Sequence, residues 1–358
     1  MQPEPTDTQT LLLETVSKFL ANEVPLERVR ALEASGEMDT QTWDALREQG
    51  WLALPFGEAL GGGGGSWVDA GGLLEAVSRR AVPLPLLEAW VAGRALEAAG
   101  DPDGLVPGLL AGRALPVPAL FEAKQRFDET TLVVSDGRLD GTKAFVDYGD
   151  CASHHLVSAR EPGGPALFLV EVTGATVRCE PLQSIGRTPL VAAHYRGAPA
   201  RRIGGEAELT ALRLSGQALA AVQCVAAMQE ALDQTLAYAR VREQFGRPIG
   251  SFQAVRHHAA NMAIEIARAR WLVYEALASI DSGGAQVETI ALAKASASLA
   301  VPKVAMLAHQ IYGGNGVIEE NDLYFHTLRG KEASLAWGTA DECLDLVANE
   351  IDQKVDWL

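Results

Sequence analysis

The spacing of apolar residues changes twice along the chain, and the changes mark three zones. Up to about residue 112, apolar residues such as Leu12, Val16 and Phe19 recur with the period of an α-helix. Between residues 113 and 206 they form short runs of strand length, several of them separated by glycine-rich breaks. From residue 207 onward the helical period returns and continues over much longer stretches.

This alternation predicts an α+β protein of several domains. We expect an N-terminal α-helical domain at residues 1–112 and a middle β-domain, a sandwich or a barrel, at residues 113–206. The long apolar faces of residues 207–358 predict a C-terminal four-helix bundle.

Local signals set element boundaries in the first two zones. Asp39 is a suitable N-cap for a helix that carries Trp43, and a further helix is predicted at 68–78. The five glycines at 61–65 predict a loop, because glycine loses too much backbone entropy in a helix. Asp136-Gly137 is a turn signal in the middle zone. The strand-like runs that follow are KAFVDY, HLVSA, ALFLVEV, ATVRCE and VAAHYRG.

The third zone reads as successive long helices. One apolar face continues from residue 252 to residue 280. Pro302 is expected to kink or break the next helix, because proline lacks the N–H that the helix ladder needs. Thr339 and Glu342 have the spacing of a capping box and predict the start of the last helix.

Composition and charge exclude several classes of function. The net charge of −16 disfavours binding to nucleic acid or to an anionic membrane. The four cysteines are scattered and form no zinc-binding pattern. No signal peptide and no membrane span are evident, so we expect a cytoplasmic protein.

The turn VREQFGRPIGSFQ at 241–253 joins two of the predicted bundle helices and carries two arginines. Arg242 ends one helix, and Ser251 is a candidate N-cap for the next. A helix N-terminus with Arg242 and Arg247 beside it would favour an anion such as a phosphate. The alternative is a solvated basic turn that binds nothing.

A second stretch, HQIYGGNG at 309–316, ends the following helix. Its glycines terminate a helix and allow a ligand to approach the backbone closely. A plain helix C-cap is the alternative, and a GGNG motif alone is weak evidence for a ligand.

Together with the order of domains, these stretches resemble the acyl-CoA dehydrogenase family, flavoproteins that desaturate acyl-CoA thioesters. The resemblance covers nearly the whole chain. It is strongest in REQFGRPIGSFQ at 242–253 and QIYGGNG at 310–316, and WDALREQGWLAL at 43–54 is also similar. It implies a helical domain, a β-barrel-like domain and a C-terminal four-helix bundle.

In that family the two bundle motifs serve the FAD of the neighbouring subunit. The resemblance implies that Arg242 pairs with the pyrophosphate and that Gln244 and Phe245 line the same cofactor. The residues implied to lie along its adenine end are Gln310, Gly313 and Gly314. No family role carries over to Arg247.

The chain departs from the family at the catalytic base. The family usually places a Glu before a Gly-Thr near the C-terminus, but Trp337 stands at that position here, and an indole cannot accept the proton. Some members carry the base in a loop before the first long bundle helix; RLSGQ at 213–217 occupies that place and has no carboxylate. The carboxylates considered as a displaced base are Glu320, Glu332, Asp341 and Glu342.

The β-domain departs as well. PALFEAKQRFD at 118–128 stands where the family has a flavin-binding Thr-Glu-Pro-x-x-Gly-Ser stretch. The family's Trp-Ile-Thr-like strand appears as Phe145-Val146-Asp147, with Phe145 and Val146 expected in the core. A carboxylate at Asp147 would put negative charge beside a ring that must accept a hydride.

The chain lacks the catalytic base and the residues that would bind flavin within its own subunit, but it keeps the two motifs that contact the FAD of a neighbouring subunit. Together these features predict a subunit of an FAD-dependent acyl-CoA dehydrogenase. The chain would be the non-catalytic partner of a second dehydrogenase-like chain in an α2β2 assembly, with FAD shared across the interface. Acyl-CoA as substrate and an electron-transfer flavoprotein as acceptor follow from the resemblance. Two alternatives stay open: a self-sufficient homo-oligomeric flavoenzyme with a displaced base, and a flavin-free acyl-CoA-binding scaffold.

Overall fold

The computed structural model describes residues 6–354, which form helices, then two sheets, then helices again. The first helices are α1 (Asp7–Glu23), α2 (Leu26–Ser35), α3 (Thr40–Glu48), α4 (Trp67–Ser78), α5 (Leu86–Ala98) and α6 (Leu105–Leu110). Asp39 caps α3 by accepting a hydrogen bond from the N–H of Thr42, as predicted. The glycines at 61–65 lie in a loop, which confirms that prediction as well.

The middle zone forms two four-stranded sheets. Their strands are β1 (Pro116–Ala119), β2 (Val134–Ser135), β3 (Arg138–Asp147), β4 (His154–Glu161), β5 (Gly164–Glu171), β6 (Val177–Pro181), β7 (Leu190–Pro199) and β8 (Arg201–Gly204). One sheet has the order β1-β4-β5-β8 and the other β2-β3-β7-β6. Leu139 of one sheet and Phe168 of the other belong to one apolar core, as in a sandwich. Asp136 and Gly137, both with positive φ, form the predicted turn between β2 and β3.

Strand β3 has a bulge that changes the expected environment of Phe145. The pairing of β3 with β7 shifts register between Lys143 and Val146, and Phe145 has a φ of 54°. The bulge leaves Phe145 53% exposed, so its predicted place in the core was wrong, whereas Val146 is fully buried.

Five helices follow the sheets. They are α7 (Glu206–Val241), α8 (Gln253–Asp281), α9 (Val287–Tyr312), α10 (Leu323–Leu335) and α11 (Ala340–Lys354), and a short ribbon of β9 (Glu243–Gln244) and β10 (Arg247–Pro248) joins α7 to α8. Helix α7 contacts three of the others through side-chain hydrogen bonds. The contacts are Gln229 with Arg270 of α8, Gln234 with Tyr312 of α9, and Gln217 with Cys343 of α11. This packing of α7, α8, α9 and α11 is the bundle expected from the sequence.

Two expectations about these helices were wrong. Residues 213–217 are not a loop but lie within α7, because the helix already begins at Glu206 and buries Leu209 and Leu212 on its apolar face. Helix α9 continues through Pro302, which lies at a solvent-exposed position, so of the predicted kink or break the break was wrong.

Residue contacts divide the chain into two compact units. Among the described residues, the first unit combines 6–26, 71–82 and 217–354, and the second comprises 27–70 and 83–216. Ion pairs tie the first unit together: Arg79 bonds Glu230 and Asp233, and Arg270 bonds Glu75. Two helical stretches, 206–241 and 287–317, are long and apolar enough to cross a membrane, but most of each apolar window is buried, as in core helices of folded proteins.

Candidate functional site

The turn between α7 and α8 is a tight hairpin. Gln244 pairs with Arg247 across it, which leaves Phe245 and Gly246 as the two turn residues. Their φ values are 56° and 79°, and two positive φ values are what a type I′ hairpin turn requires. The N–H of Ile249 donates to the carbonyl of Arg242 at 2.8 Å and closes the base of the hairpin.

The hairpin presents Phe245 and Arg242 to solvent. Phe245 is 93% exposed, so its ring contributes no hydrophobic stabilisation to the fold. It also has a positive φ, which a bulky residue rarely adopts. The Arg242 side chain is exposed, and within residues 6–354 it makes no hydrogen bond or ion pair. The hairpin tip is therefore suited to contact another molecule.

Arg247 has a contact that the sequence reading missed. Its guanidinium carbon lies 4.2 Å from the centre of the Phe252 ring, in a cation–π arrangement. Phe245 meets the same ring edge-on, with 6.1 Å between ring centres. Phe252 thus contacts residues on both sides of the hairpin. Its position five residues after Arg247 is the feature of the sequence that could have predicted this contact.

Ser251 does not cap α8, contrary to expectation. Residues Ile249–Ser251 form a 3₁₀ turn, and the N-cap position is taken by Phe252, whose backbone is extended. The Ser251 hydroxyl is buried and has no hydrogen-bond partner among the described residues. The 3₁₀ turn shifts the helix start beyond the reach of that hydroxyl.

The glycine motif ends α9 as predicted. The last helical residue is Tyr312, and Gly313 has φ 60° and ψ −140°, a conformation open only to glycine. Gln310, Gly313 and Gly314 are exposed, and a Cβ on either glycine would meet no atom within 4 Å. Backbone conformation, not crowding within the chain, requires the glycine at 313.

The structure brings both motifs to one end of the bundle. Tyr238 of α7 and Tyr312 of α9 stack with ring centres 4.3 Å apart. The side-chain amide of Asn315 donates to the Tyr238 hydroxyl at 3.1 Å, and the Tyr312 hydroxyl donates to the carbonyl of Gln234 at 3.2 Å. Burial raises the pKa of Tyr312 to about 12, so the Tyr312 hydroxyl stays protonated and can donate its hydrogen bond at neutral pH.

The position of the family's base is a buried, fixed turn. Trp337 is 4% exposed and has a φ of 59°. The Lys294 ammonium is fully buried and donates to the carbonyls of Ser334 and Gly338, at 3.1 and 2.9 Å. Lys294 therefore holds the chain on both sides of Trp337, although burial lowers its pKa.

The four carboxylates named as candidates for a displaced base are bonded within the chain or exposed. Glu342 accepts hydrogen bonds from the N–H and the hydroxyl of Thr339, both at 2.8 Å, which confirms the predicted capping box. Glu332 lies 3.9 Å from Arg329, and both Glu320 and Asp341 are exposed.

In the β-domain, Glu122 and Lys143 form a buried pair. The Lys143 ammonium donates to Glu122 at 2.5 Å, to the Ser158 hydroxyl at 3.0 Å and to the carbonyl of Leu120 at 3.1 Å. Glu122 also accepts from the backbone N–H groups of Thr131 and Leu132. Burial lowers the pKa of Lys143 to about 8, against the opposing effect of Glu122. Within the stretch at 118–128, the Glu122 carboxylate is thus bonded to groups of the same chain.

Asp147, the residue at the end of β3, is half-buried. Its carboxylate occupies the position at which the resemblance implies a hydroxyl donor. Within the described part of the chain, no group of three or more His, Cys, Asp or Glu side chains could hold a metal ion.

Comparison with known proteins gives matches at both ends of the chain. A model of the acyl-CoA dehydrogenase N-terminal domain matches residues 6–103, and one of the C-terminal domain matches residues 210–352. The acyl-CoA dehydrogenase IpdE2 of Mycolicibacterium smegmatis is 31% identical over 350 residues, which are 96% of this chain and 99% of the relative. The acyl-CoA dehydrogenase FadE27 of Mycobacterium tuberculosis is 31% identical over 330 residues, 87% of this chain and 88% of the relative.

Two solved structures are similar over almost the full length. A variant of the Tcur3481–Tcur3483 steroid ACAD has a TM-score of 0.92 and 29% identity, covering 97% of this chain and 98% of that one. The ChsE4–ChsE5 complex from Mycobacterium tuberculosis has a TM-score of 0.92 and 26% identity, covering 99% of this chain and 100% of that one. Each name joins two proteins, and the second is described as a complex.

Proposed function

The chain belongs to the acyl-CoA dehydrogenase family, and from this premise we propose that it is the base-less subunit of a two-chain dehydrogenase. It completes the FAD site of a second, base-carrying chain and has no complete site of its own. The assembly is α2β2, with one FAD for each pair of unlike chains. The similarity to two-chain relatives supports this arrangement.

The observation that carries the proposal is the exposed hairpin tip. Phe245 is 93% exposed at a positive φ, and the Arg242 guanidinium beside it is exposed too. Both features are unfavourable or useless in an isolated chain and become favourable against an apolar, anionic surface. A partner-bound flavin dinucleotide has both properties, since its rings are apolar and its diphosphate is anionic.

The residues proposed to contact the partner's cofactor fit FAD. Arg242 has the planar fork of donors that pairs with a diphosphate, and Gln244 and Phe245 follow it on the same hairpin. Gln310, Gly313 and Gly314 offer an exposed, open edge at the same end of the bundle. When bound, FAD supplies the hydride acceptor for desaturation of the thioester; this chain's residues bind and orient it.

The chain's own side does not fit FAD. Residues 118–128 contain no glycine, and Glu122 within them is bound to Lys143 and to the Thr131–Leu132 backbone. Asp147 would place a carboxylate where a flavin ring must gain negative charge. No step of the reaction is therefore assigned to a flavin on this side.

The absence of a base at the usual position supports the same division of labour. Trp337 has no basic lone pair, and Glu342 is held by Thr339 at the start of α11. The base that removes the α-proton of the acyl-CoA belongs to the partner chain. The similarity to a steroid ACAD favours a steroid-derived acyl-CoA as substrate. An electron-transfer flavoprotein as acceptor and a cytoplasmic location complete the proposal.

Purification of the chain alone and together with the base-carrying dehydrogenase chain of its own genome tests the proposal. Alone, the chain is expected to be colourless; co-purified, the pair is expected to hold one FAD per two chains and to oxidise acyl-CoA. Arg242→Ala should deplete FAD from the pair, and Arg242→Lys should retain part of it. Arg240→Ala is a matched control, because Arg240 is also exposed and lies two residues away.

Two results would overturn the proposal in favour of its alternatives. A yellow homo-oligomer that oxidises acyl-CoA unaided would show a self-sufficient enzyme with a displaced base. A chain that binds acyl-CoA but forms no flavin-containing pair would show a flavin-free scaffold. Unchanged FAD content in the Arg242→Ala pair would contradict the proposed role of Arg242 in binding the FAD diphosphate.

A further inference from the structure

Two free cysteines lie close together at one end of the middle domain. All four cysteines of the chain are free, but they differ in access: Cys151 is exposed and Cys179 is half-buried, whereas Cys224 and Cys343 are fully buried. Cys151 lies in the connection from β3 to β4, and Cys179 lies on β6, the edge strand of the sheet that contains β3. Only this pair of thiols is therefore open to a reagent from solvent.

A single turn after β3 contacts both sulfur atoms. The N–H of Cys151 donates to the carbonyl of Tyr148 at 3.1 Å and closes the turn. The Cys179 thiol donates to the carbonyl of Gly149 at 3.4 Å, and the Cys151 thiol donates to the carboxylate of Asp150 at 3.6 Å. Because the two sulfurs contact adjacent residues of this turn, they are neighbours, although 28 positions separate the cysteines in the sequence.

One side of the pair is held in place by buried groups. The carbonyl of Gly149 also accepts a hydrogen bond from Nε2 of His155 at 3.0 Å, and Nδ1 of that ring accepts from the Tyr195 hydroxyl at 2.8 Å. Both rings are buried, and they fix the carbonyl to which Cys179 is bonded. The exposed side chain of Cys151 is thus the part of the pair with room to rotate.

The carboxylate of Asp150 acts on both thiols. Burial, and after it the negative charge of Asp150, raises the pKa of Cys151 to about 11, and the same two causes raise the pKa of Cys179. The thiolate is the form of cysteine that reacts, so at neutral pH both thiols are weak nucleophiles. Oxidation of this pair is therefore slow, and it requires an oxidant that persists.

We propose that Cys151 and Cys179 form a reversible disulfide under sustained oxidation by a peroxide, and that Asp150 slows its formation. The Cys151 side chain rotates from Asp150 toward Cys179. With hydrogen peroxide, the sulfur of Cys151 attacks an oxygen, the O–O bond breaks, and a sulfenic acid and one water form. The sulfur of Cys179 then attacks the sulfenic sulfur, the S–O bond breaks, and the hydroxyl leaves with the thiol proton as a second water.

In this reaction the two thiols lose two electrons and the peroxide gains them. A thiol reductant reverses the step by exchange. The bond would tie the turn after β3 to the edge strand β6 and so constrain one end of the middle domain. The inference is independent of the proposed function, since neither flavin nor a second chain takes part.

Treatment of the full chain with hydrogen peroxide tests the inference. The wild type is expected to lose about 2 Da, and peptide mapping should show a link between Cys151 and Cys179 that dithiothreitol removes. Cys179→Ser should stop at the sulfenic acid of Cys151, which dimedone traps, and Cys151→Ser should form no link. The buried thiols of Cys224 and Cys343 should stay reduced throughout.

Asp150→Asn tests the restraint on the rate. Loss of the carboxylate lowers the pKa of both thiols, so the link is expected to form about three- to tenfold faster than in the wild type. Asp136→Asn is the matched control. It removes the same charge from the turn at the other end of β3, where asparagine accepts the positive φ, and it should react like the wild type.

Three results would overturn the inference. A stable sulfenic acid at Cys151 of the wild type, with the Cys179 thiol intact, would show that the two thiols do not meet. A link between two chains, seen as a dimer on a non-reducing gel, would show that the partner thiol is not within the chain. Both results come from the wild type and do not depend on the folding of a variant. Equal rates in Asp150→Asn and Asp136→Asn would overturn the role of Asp150.

Discussion

The guanidinium of Arg247 stacks on the ring of Phe252 at 4.2 Å, on the same hairpin that presents Arg242 to solvent. The two arginines therefore differ in kind. Arg242 has an unengaged side chain for a ligand, whereas Arg247 holds the hairpin in shape through an aromatic ring.

Arg247→Lys separates stacking from charge. Lysine keeps the positive charge but lacks the planar group, and an exposed cation–π contact is worth about 0.5–1 kcal/mol. We expect FAD to leave the two-chain complex about two- to fivefold faster than from the wild type, measured by the recovery of flavin fluorescence. Phe252→Leu should have a similar effect. Release at the wild-type rate in Arg247→Lys would mean that Arg247 acts by its charge alone.

Lys294→Met should destabilise the chain strongly. The buried ammonium bonds Ser298, Ser334 and Gly338, and its removal leaves two buried carbonyls without that donor. We expect a loss of about 2–4 kcal/mol, measured as a lower urea midpoint. Lys331→Met, at an exposed position of α10, is the control and should change stability by about 0.5 kcal/mol or less. Equal midpoints for the two variants would contradict a structural role for Lys294.

Lys143 should make stability depend on alkaline pH. Its pKa is about 8 when folded and 10.5 as the ordinary value, so the unfolded chain binds more protons between these limits. Stability contributed by this group therefore rises as pH increases from 8 to 10.5, by up to about 3 kcal/mol. The difference in urea midpoint between the wild type and Lys143→Met should widen over that interval. Parallel pH profiles would show that Lys143 does not titrate there.

Gly313→Ala and Gly314→Ala form a matched pair. Neither Cβ would meet an atom within 4 Å, but only Gly313 has a positive φ. We expect Gly313→Ala to lower the melting temperature of the chain alone, at a cost of about 1–3 kcal/mol, and Gly314→Ala to change it little. Similar melting temperatures would mean that the turn after α9 relaxes to accept a side chain.

Much of the fold follows from local patterns in the sequence. Helical and strand periods separate the helices from the two sheets, and short-range polar contacts such as Asp39 with Thr42 and Thr339 with Glu342 set helix starts. These contacts depend on residues three positions apart, so spacing alone reveals them. The hairpin turn at Asp136-Gly137 is found in the same way.

The predictions that were wrong concern residues whose environment is set by tertiary structure. Phe145 looks like a core residue until the bulge in β3 turns it outward, and a bulge has no signature in the alternation of apolar residues. Ser251 has the right chemistry for a cap but is the last residue of a 3₁₀ turn, so the N-cap position falls on Phe252. In the candidate site, the exposure of Arg242 and the contact of Arg247 with Phe252 could be seen only in the folded hairpin, since the sequence shows both residues simply as basic.

The almost bare phenyl ring of Phe245 has a consequence for how the protein must be made. A newly made chain carries an apolar tip at Phe245 that the residues described in the structure leave 93% exposed. Unpaired copies would expose this ring to one another, which favours self-association. If the chain pairs as proposed, synthesis of the two polypeptides in matched amounts would keep the ring covered.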